Sequence, residues 1–165
     1  NLYAETLLRT LGREMTGSAC YDSSYVAIGK VLTDLGVDTS RGYRLKDGSG
    51  LSRQNYISSD FLCRFLLKMM DSPHFEAFAE SLPSPGSNGT LLYNMKKQPA
   101  ELRDRIKVKS GSMNGVRCYS GYIIPTEGSK DDVIIFSLMV NNCTSPTWEV
   151  RNILDNVMAA LAQMN

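Results

Sequence analysis

The sequence predicts a mixed α+β domain: helices in its first half, a three-stranded antiparallel meander in its second, and one helix closing the chain. Three observations carry that prediction. Apolar residues recur at helical spacing as far as Met69, the period shifts to two from Ile106 onward, and an Asn114-Gly115 pair separates two alternating runs. With 165 residues, 42% of them hydrophobic and 21% charged, the chain is long enough for one domain with a real core and too short to suggest two.

From Leu2 to Leu11 the residues Leu7, Leu8 and Leu11 share a helical face, and Gly12 reads as a stop. A second helix is predicted from about Asp22 to Leu35. Asp22 or Ser23 would cap it, Tyr25, Ile28, Leu32 and Leu35 would form its buried stripe, and Gly36 would close it. Residues 37–58 are rich in Gly, Ser, Asp and Arg and read as a long loop with short extended pieces, its densest turn signal running from Asp47 to Arg53. A third helix, capped near Ser59, carries Phe61, Leu62, Phe65, Leu66 and Met69 toward the core.

The run from Pro83 to Thr90 cannot sustain a helix and reads as loop. Ile106, Val108 and Ser110 then alternate with Lys107, Lys109 and Gly111, and Val116 to Ile124 returns after the Asn-Gly turn. Val133 to Val140 is nearly all apolar, as expected of a strand covered on both faces. In the last helix Ser145 would cap, Pro146 suits the first position, and Val150, Ile153, Leu154, Val157, Met158 and Leu161 form the face that should lie on the sheet.

Composition excludes several function classes. A formal net charge of +1 offers no electrostatic footprint for nucleic acid or an anionic membrane surface. The longest apolar run falls far short of the roughly 20 residues a membrane-spanning helix needs. Cys20, Cys63, Cys118 and Cys143 show no Cys-x-x-Cys, and His74 is the only histidine, so neither a metal site nor a cofactor is expected. The cysteine spacing reads as single buried thiols. The chain starts at Asn1 with no basic, apolar leader, which suggests that a targeting signal was removed or lies outside the sequence.

Nucleophilic chemistry needs an activated serine or cysteine. None of the chain's lysines has a serine three positions before it, and there is no Gly-x-Ser-x-Gly elbow. His74, beside Pro73 at the end of the third helix, reads as a capping or packing residue, and Asp47 as a turn residue satisfying its own backbone. The strongest chemical feature is Lys109-Ser110-Gly111-Ser112. Taken alone it is a weak motif, since lysines also guard strand edges. Its order in the chain gives it weight: strand, motif, tight turn, strand, covered strand, helix.

With these residues in place, the chain resembles the D-alanyl-D-alanine carboxypeptidase family related to penicillin-binding protein 4. The matching strings run from end to end: Asn1 to Leu8, Asp47 to Asn55, Leu82-Pro83 followed by Gly89-Thr90-Leu91, Lys107 to Ser112 with Gly115-Val116, and Ser120-Gly121-Tyr122. Enzymes of this kind use three active-site elements: Ser-x-x-Lys, Ser-x-Asn and Lys-Thr/Ser-Gly.

The resemblance implies a β-lactamase/transpeptidase-like fold in which this meander is part of a larger sheet flanked by helices. Residues 1–165 would be the C-terminal part of a penicillin-binding domain, lacking its N-terminal strands and its nucleophile motif. It assigns Asn1 to the second element, whose serine would lie two residues upstream. Lys109 and Ser110, with Gly111, would hold the terminal carboxylate of a peptidoglycan stem peptide or of a β-lactam antibiotic. The backbone N–H of Ser112 would serve the oxyanion hole, making Asn1, Lys109 and Ser112 the catalytic set. It further implies action in the periplasm or otherwise outside the cytoplasm, inactivity of the fragment alone, and exposed apolar surface that self-association or a retained upstream segment would cover. A non-catalytic peptidoglycan-binding module and a serine β-lactamase are the alternatives. The Asp47 to Arg53 string argues against the latter.

Overall fold

The computed structural model describes residues 1–164, and the chain divides into two compact units, residues 1–72 and residues 73 onward. The first unit is mainly helical. Helix α1 (Leu2–Thr16) runs past Gly12 and ends at Gly17, whose φ of 79° is the left-handed conformation that terminates a helix at no steric cost. Gly12 is a packing glycine instead: a Cβ there would lie 2.4 Å from Ser24 Oγ, so its absence lets α1 approach α2 (Tyr21–Asp34). The N-cap of α2 is Cys20, not Asp22 or Ser23, and no side chain caps it.

Loop residues 37–58 contain two short antiparallel strands, β1 (Tyr43–Arg44) and β2 (Tyr56–Ile57). Ser58 caps α3 (Ser59–Met70), one residue earlier than expected, by accepting a hydrogen bond from Phe61 N at 3.1 Å. Leu32, Val37 and Phe61 form the core here, with Ile28, Leu35, Tyr43, Ile57 and Phe65 against it. An apolar groove of about 580 Å³ opens beside it, bordered by Leu7, Leu11, Ile28, Leu45, Leu62 and Phe65. Leu7, placed by its spacing on the buried stripe, is 69% exposed.

The second unit adds two short helices that periodicity does not predict, α4 (Phe75–Ser81) and α5 (Ala100–Asp104). Its sheet follows the expected meander, β3 (Ile106–Met113), β4 (Val116–Ile123) and β5 (Ile134–Val140), in the order β3-β4-β5. The Asn114-Gly115 turn closes the first hairpin, with Met113 opposite Val116 and Gly115 at φ 72°. Helix α6 (Thr147–Ala162) lays Val150, Leu154, Met158, Ala159 and Ala162 onto Ile106, Val108, Tyr119, Ile123 and Phe136.

Three expectations are corrected. The residue before α6 is Pro146, with no capping side chain. Ile153 and Val157 of the expected buried stripe are exposed. On β5 only Phe136 is buried, and the other residues of the strand, on both of its faces, are half-buried rather than sealed.

Candidate active site

The geometry of Lys109-Ser110-Gly111-Ser112 follows from its place on β3, an outer strand of the sheet. In an antiparallel pair, alternate residues direct their backbone N–H and C=O toward the partner and away from it. The parity is visible at two points. Arg105 O accepts from Ile124 N of the neighbouring strand at 2.9 Å, whereas Val108 N donates outward to Pro83 O at 3.0 Å. Odd-numbered residues therefore bond β4, and even-numbered residues present their backbone groups to the outer edge. Ser110 and Ser112 are even. Their N–H groups face the edge that no strand occupies among the described residues.

The loop of residues 83–90 covers that edge only part of the way. Pro83 O takes the Val108 N–H, Lys107 Nζ donates to Ser84 Oγ at 3.1 Å, and Thr90 Oγ1 lies 2.9 Å from Ser110 Oγ. Beyond Ser110 the edge is open. Side chains alternate across the strand, so Lys109 and the Ser110 hydroxyl flank it from opposite faces. The Lys109 ammonium curls back onto the Ser110 carbonyl oxygen. Gly111 leaves free space: a Cβ there would meet only Cys118 Cβ at 3.8 Å, an ordinary contact. The fold does not require a glycine at this position.

A buried polar network missed in the sequence holds the segment following the loop. Asp155 on α6 accepts from Asn94 Nδ2 at 2.7 Å with one oxygen and from Met95 N at 2.9 Å with the other. Asn94 Nδ2 also donates to Tyr119 Oη at 2.7 Å, and Arg117 Nε donates to the same oxygen at 2.9 Å. Asn94, Tyr119 and Asp155 are all buried. The signal was legible in principle, since Asp155 lies four and seven residues before Ala159 and Ala162 on a buried face, and a buried acid requires partners.

Asn1 is the N-cap residue of α1; its side chain makes no capping bond, and its carbonyl accepts from Glu5 N at 3.0 Å. It belongs to the first unit, whereas Lys109, Ser110, Gly111 and Ser112 belong to the second. Asp47 is structural. Its two oxygens accept from Gly50 N, Leu51 N, Ser52 N, Ser49 Oγ and Asn55 Nδ2 at 2.7–3.1 Å. The turn so formed docks on α1: a Cβ on Gly48 would stand 2.6 Å from Ala4 O, and Ser49 N donates to Glu5 Oε1 at 3.3 Å. His74 is the N-cap of α4. All four cysteines are free, and Cys20 is exposed rather than buried. Hydrogen bonding with the Ser18 and Ser23 side chains lowers its thiol to about 7.

A family model, the D-Ala-D-Ala carboxypeptidase 3 (S13) family, matches residues 1–164. The chain belongs to that family. It is 34% identical over 151 residues to a D-alanyl-D-alanine carboxypeptidase of Actinomadura sp. (strain R39), covering 88% of this chain and 27% of the relative. It is 31% identical over 169 residues to penicillin-sensitive carboxypeptidase A of Dictyostelium discoideum, covering 99% of this chain and 32% of that protein. Thus the S13 chain spans about a third of the length of these relatives.

Its fold is similar to that of part of penicillin-binding protein 4 of Haemophilus influenzae. The crystal structure of that protein superposes with a TM-score of 0.81 at 21% identity, over 99% of this chain and 36% of the other. A second crystal structure of it, complexed with a β-lactam, gives 0.77 at 22% identity, over 99% and 38%. Among the described residues, no helix of the S13 chain is long and apolar enough to cross a membrane.

Proposed function

We propose that these 165 residues are the C-terminal part of a penicillin-binding, transpeptidase-like domain whose parent is a serine-type D-Ala-D-Ala carboxypeptidase or endopeptidase. It acts on peptidoglycan stem peptides outside the cytoplasm. The observation that supports the reading is the open end of β3, where Lys109 and the Ser110 hydroxyl flank the strand and the N–H groups of Ser110 and Ser112 face outward, in a chain of the S13 family.

The chemistry is acyl transfer through a serine located upstream in a Ser-x-x-Lys element. Its Oγ attacks the carbonyl between two terminal D-alanines, the C–N bond breaks, D-alanine leaves with a proton on its amine, and water then hydrolyses the ester. On this chain, the Lys109 ammonium exchanges the Ser110 carbonyl for the substrate's terminal carboxylate, and the Ser110 hydroxyl donates to the same anion. The free surface at Gly111 lets that end of the substrate lie against the strand. The Ser112 N–H, already turned outward by register, meets the developing oxyanion, a donor worth about 3 kcal/mol in such sites. By the family resemblance, Asn1 is the asparagine of the Ser-x-Asn element.

The test is covalent labelling with a fluorescent penicillin. The 165-residue chain should remain unlabelled, and a longer form of the same gene product, extended upstream through Ser-x-x-Lys, should form an adduct that Lys109→Ala weakens at least tenfold. Labelling of the short chain, or an upstream sequence without Ser-x-x-Lys, would overturn the reading.

A further inference from the structure

We infer that Thr90 is a positioning residue for carboxylate capture, donating its hydroxyl proton to Ser110 Oγ so that the Ser110 proton points at the ligand; this rests on the role proposed above for Ser110. The two hydroxyl oxygens are 2.9 Å apart. A hydroxyl has one proton and two lone pairs, so only one of the pair donates across that contact. If Ser110 spent its proton on Thr90, it would offer an arriving anion only lone pairs. If Thr90 donates, Ser110 keeps its proton for the anion, and the two bonds in sequence strengthen each other.

Thr90 is built to do this. Leu91 beside it is completely buried, and its carbonyl accepts from both Gly86 N at 2.9 Å and Asn94 N at 3.0 Å. On one side Pro85, also fully buried, has its carbonyl held by Arg103 Nη1 at 3.2 Å. On the other, the Asp155 carboxylate clamps Asn94 and Met95. Gly89, with φ of 69°, makes the turn that brings Thr90 back over β3. A hydroxyl fixed from both flanks needs little reorganisation when the ligand binds.

The serine at position 110 gives this contact its purpose. Threonine, the other residue the Lys-Thr/Ser-Gly pattern admits, is β-branched and stiff about χ1, whereas serine chooses among three staggered wells. Thr90 supplies from outside the rotamer restraint that Ser110 lacks.

The experiment measures the second-order rate of acylation by benzylpenicillin for the whole gene product that carries these residues. Thr90→Val should lower it about tenfold, mostly in the non-covalent binding step, and Thr90→Ser should stay within about twofold of the parent. Ser110→Ala should lower it at least as much as Thr90→Val. Adding Thr90→Val to Ser110→Ala should cost nothing more, because the threonine acts through that hydroxyl. Ser110→Thr in the Thr90→Val background should recover most of the loss. With the uncharged methyl ester of the same penicillin, Thr90→Val and the parent should agree within about twofold.

Thr90→Val acting at the parent rate while Ser110→Ala is impaired overturns the inference and leaves the reading of Ser110 standing. Equal losses toward acid and ester, or losses at 90 and 110 that simply multiply, also overturn it. If Ser110→Ala itself acylates normally, it is the carboxylate role of Ser110 that has failed, and the role of Thr90 falls with it.

Discussion

Replacing Asp47 by asparagine tests whether the Asp47 to Asn55 turn is held by its carboxylate. One oxygen accepts from Gly50 N and Asn55 Nδ2, and the other from Ser49 Oγ, Leu51 N and Ser52 N. An asparagine keeps only one acceptor oxygen. Whichever way the amide turns, at least two donors lose their partner and face an NH2 group. Hydrogen bonds to a charged acceptor contribute about 1.5–3 kcal/mol each, and the half-exposed loop lets water recover part of that, so Asp47→Asn should cost about 3 kcal/mol. With a urea slope of about 2 kcal/mol per molar, the midpoint should fall by about 1.5 M.

Trp148, the chain's single tryptophan, lies in the other unit, so the assay is far-UV circular dichroism rather than fluorescence. Faster hydrogen exchange across residues 47–52 and the first turns of α1 should accompany the loss, because Gly48 and Ser49 rest on Ala4 and Glu5. Burial alone would raise the Asp47 carboxyl, but bonds from Asn55, Ser52, Gly50 and Ser49 outweigh it and hold the carboxyl below the ordinary range. A depressed folded value means the unfolded chain takes up the proton first on acidification. This contribution is therefore complete above the ordinary carboxylate range of about 4 and vanishes as pH falls through the depressed value. Asp47→Asn should flatten the stability profile in that window. A loss below about 1 kcal/mol with an unchanged acid profile would refute the account.

Gly111→Ala should leave stability within about 1 kcal/mol of the parent, since its methyl meets only Cys118 Cβ at 3.8 Å. In the extended gene product it should nonetheless slow penicillin labelling at least tenfold, and normal labelling would remove Gly111 from the binding surface. Gly121→Ala, on the paired strand, should do the opposite and break the fold. Its Cβ would stand 2.0 Å from Lys107 O and 2.9 Å from Val108 Cα, both backbone, and the cost should exceed about 3 kcal/mol in urea unfolding. Cys20 should react first with Ellman's reagent, its rate rising to half-maximum near pH 7. Burial raises the thiols of Cys63 and Cys118, so Cys20→Ser should abolish the fast phase, and its survival would assign that phase elsewhere.

Periodicity located the three long helices of the first half, the closing helix and all three strands of the meander, because each commits enough apolar residues to one face to be seen without its partners. It missed α4 and α5, of seven and five residues, since so few positions carry no measurable period. The misread boundaries share a physical cause. Gly12 looked like a helix stop, yet glycine also marks where two backbones approach, and only the position of Ser24 distinguishes the two roles. Cys20 and Pro146 stand at helix starts where the sequence offered better capping side chains nearby, because the approach of the chain, rather than the hydroxyl, decides where the first turn begins.

For the candidate site the division is different. The proximity of Lys109, Ser110 and Ser112 was legible because one short stretch of a single strand carries them, and the orientation of their backbone follows from a two-residue turn that is itself legible. With Met113 opposite Val116, even-numbered residues of β3 are turned outward. One more residue in that turn would change the register and, with it, which N–H groups reach the open edge. The Asn114-Gly115 pair therefore determines the chemistry of the edge without facing it. Thr90 could not be found this way. It arrives from a loop twenty residues earlier, and its relation to Ser110 depends on the buried bonds among Leu91, Asn94, Met95 and Asp155, which no local pattern encodes. A motif names the groups that touch a ligand, whereas the residues that aim those groups come from wherever the core can anchor them.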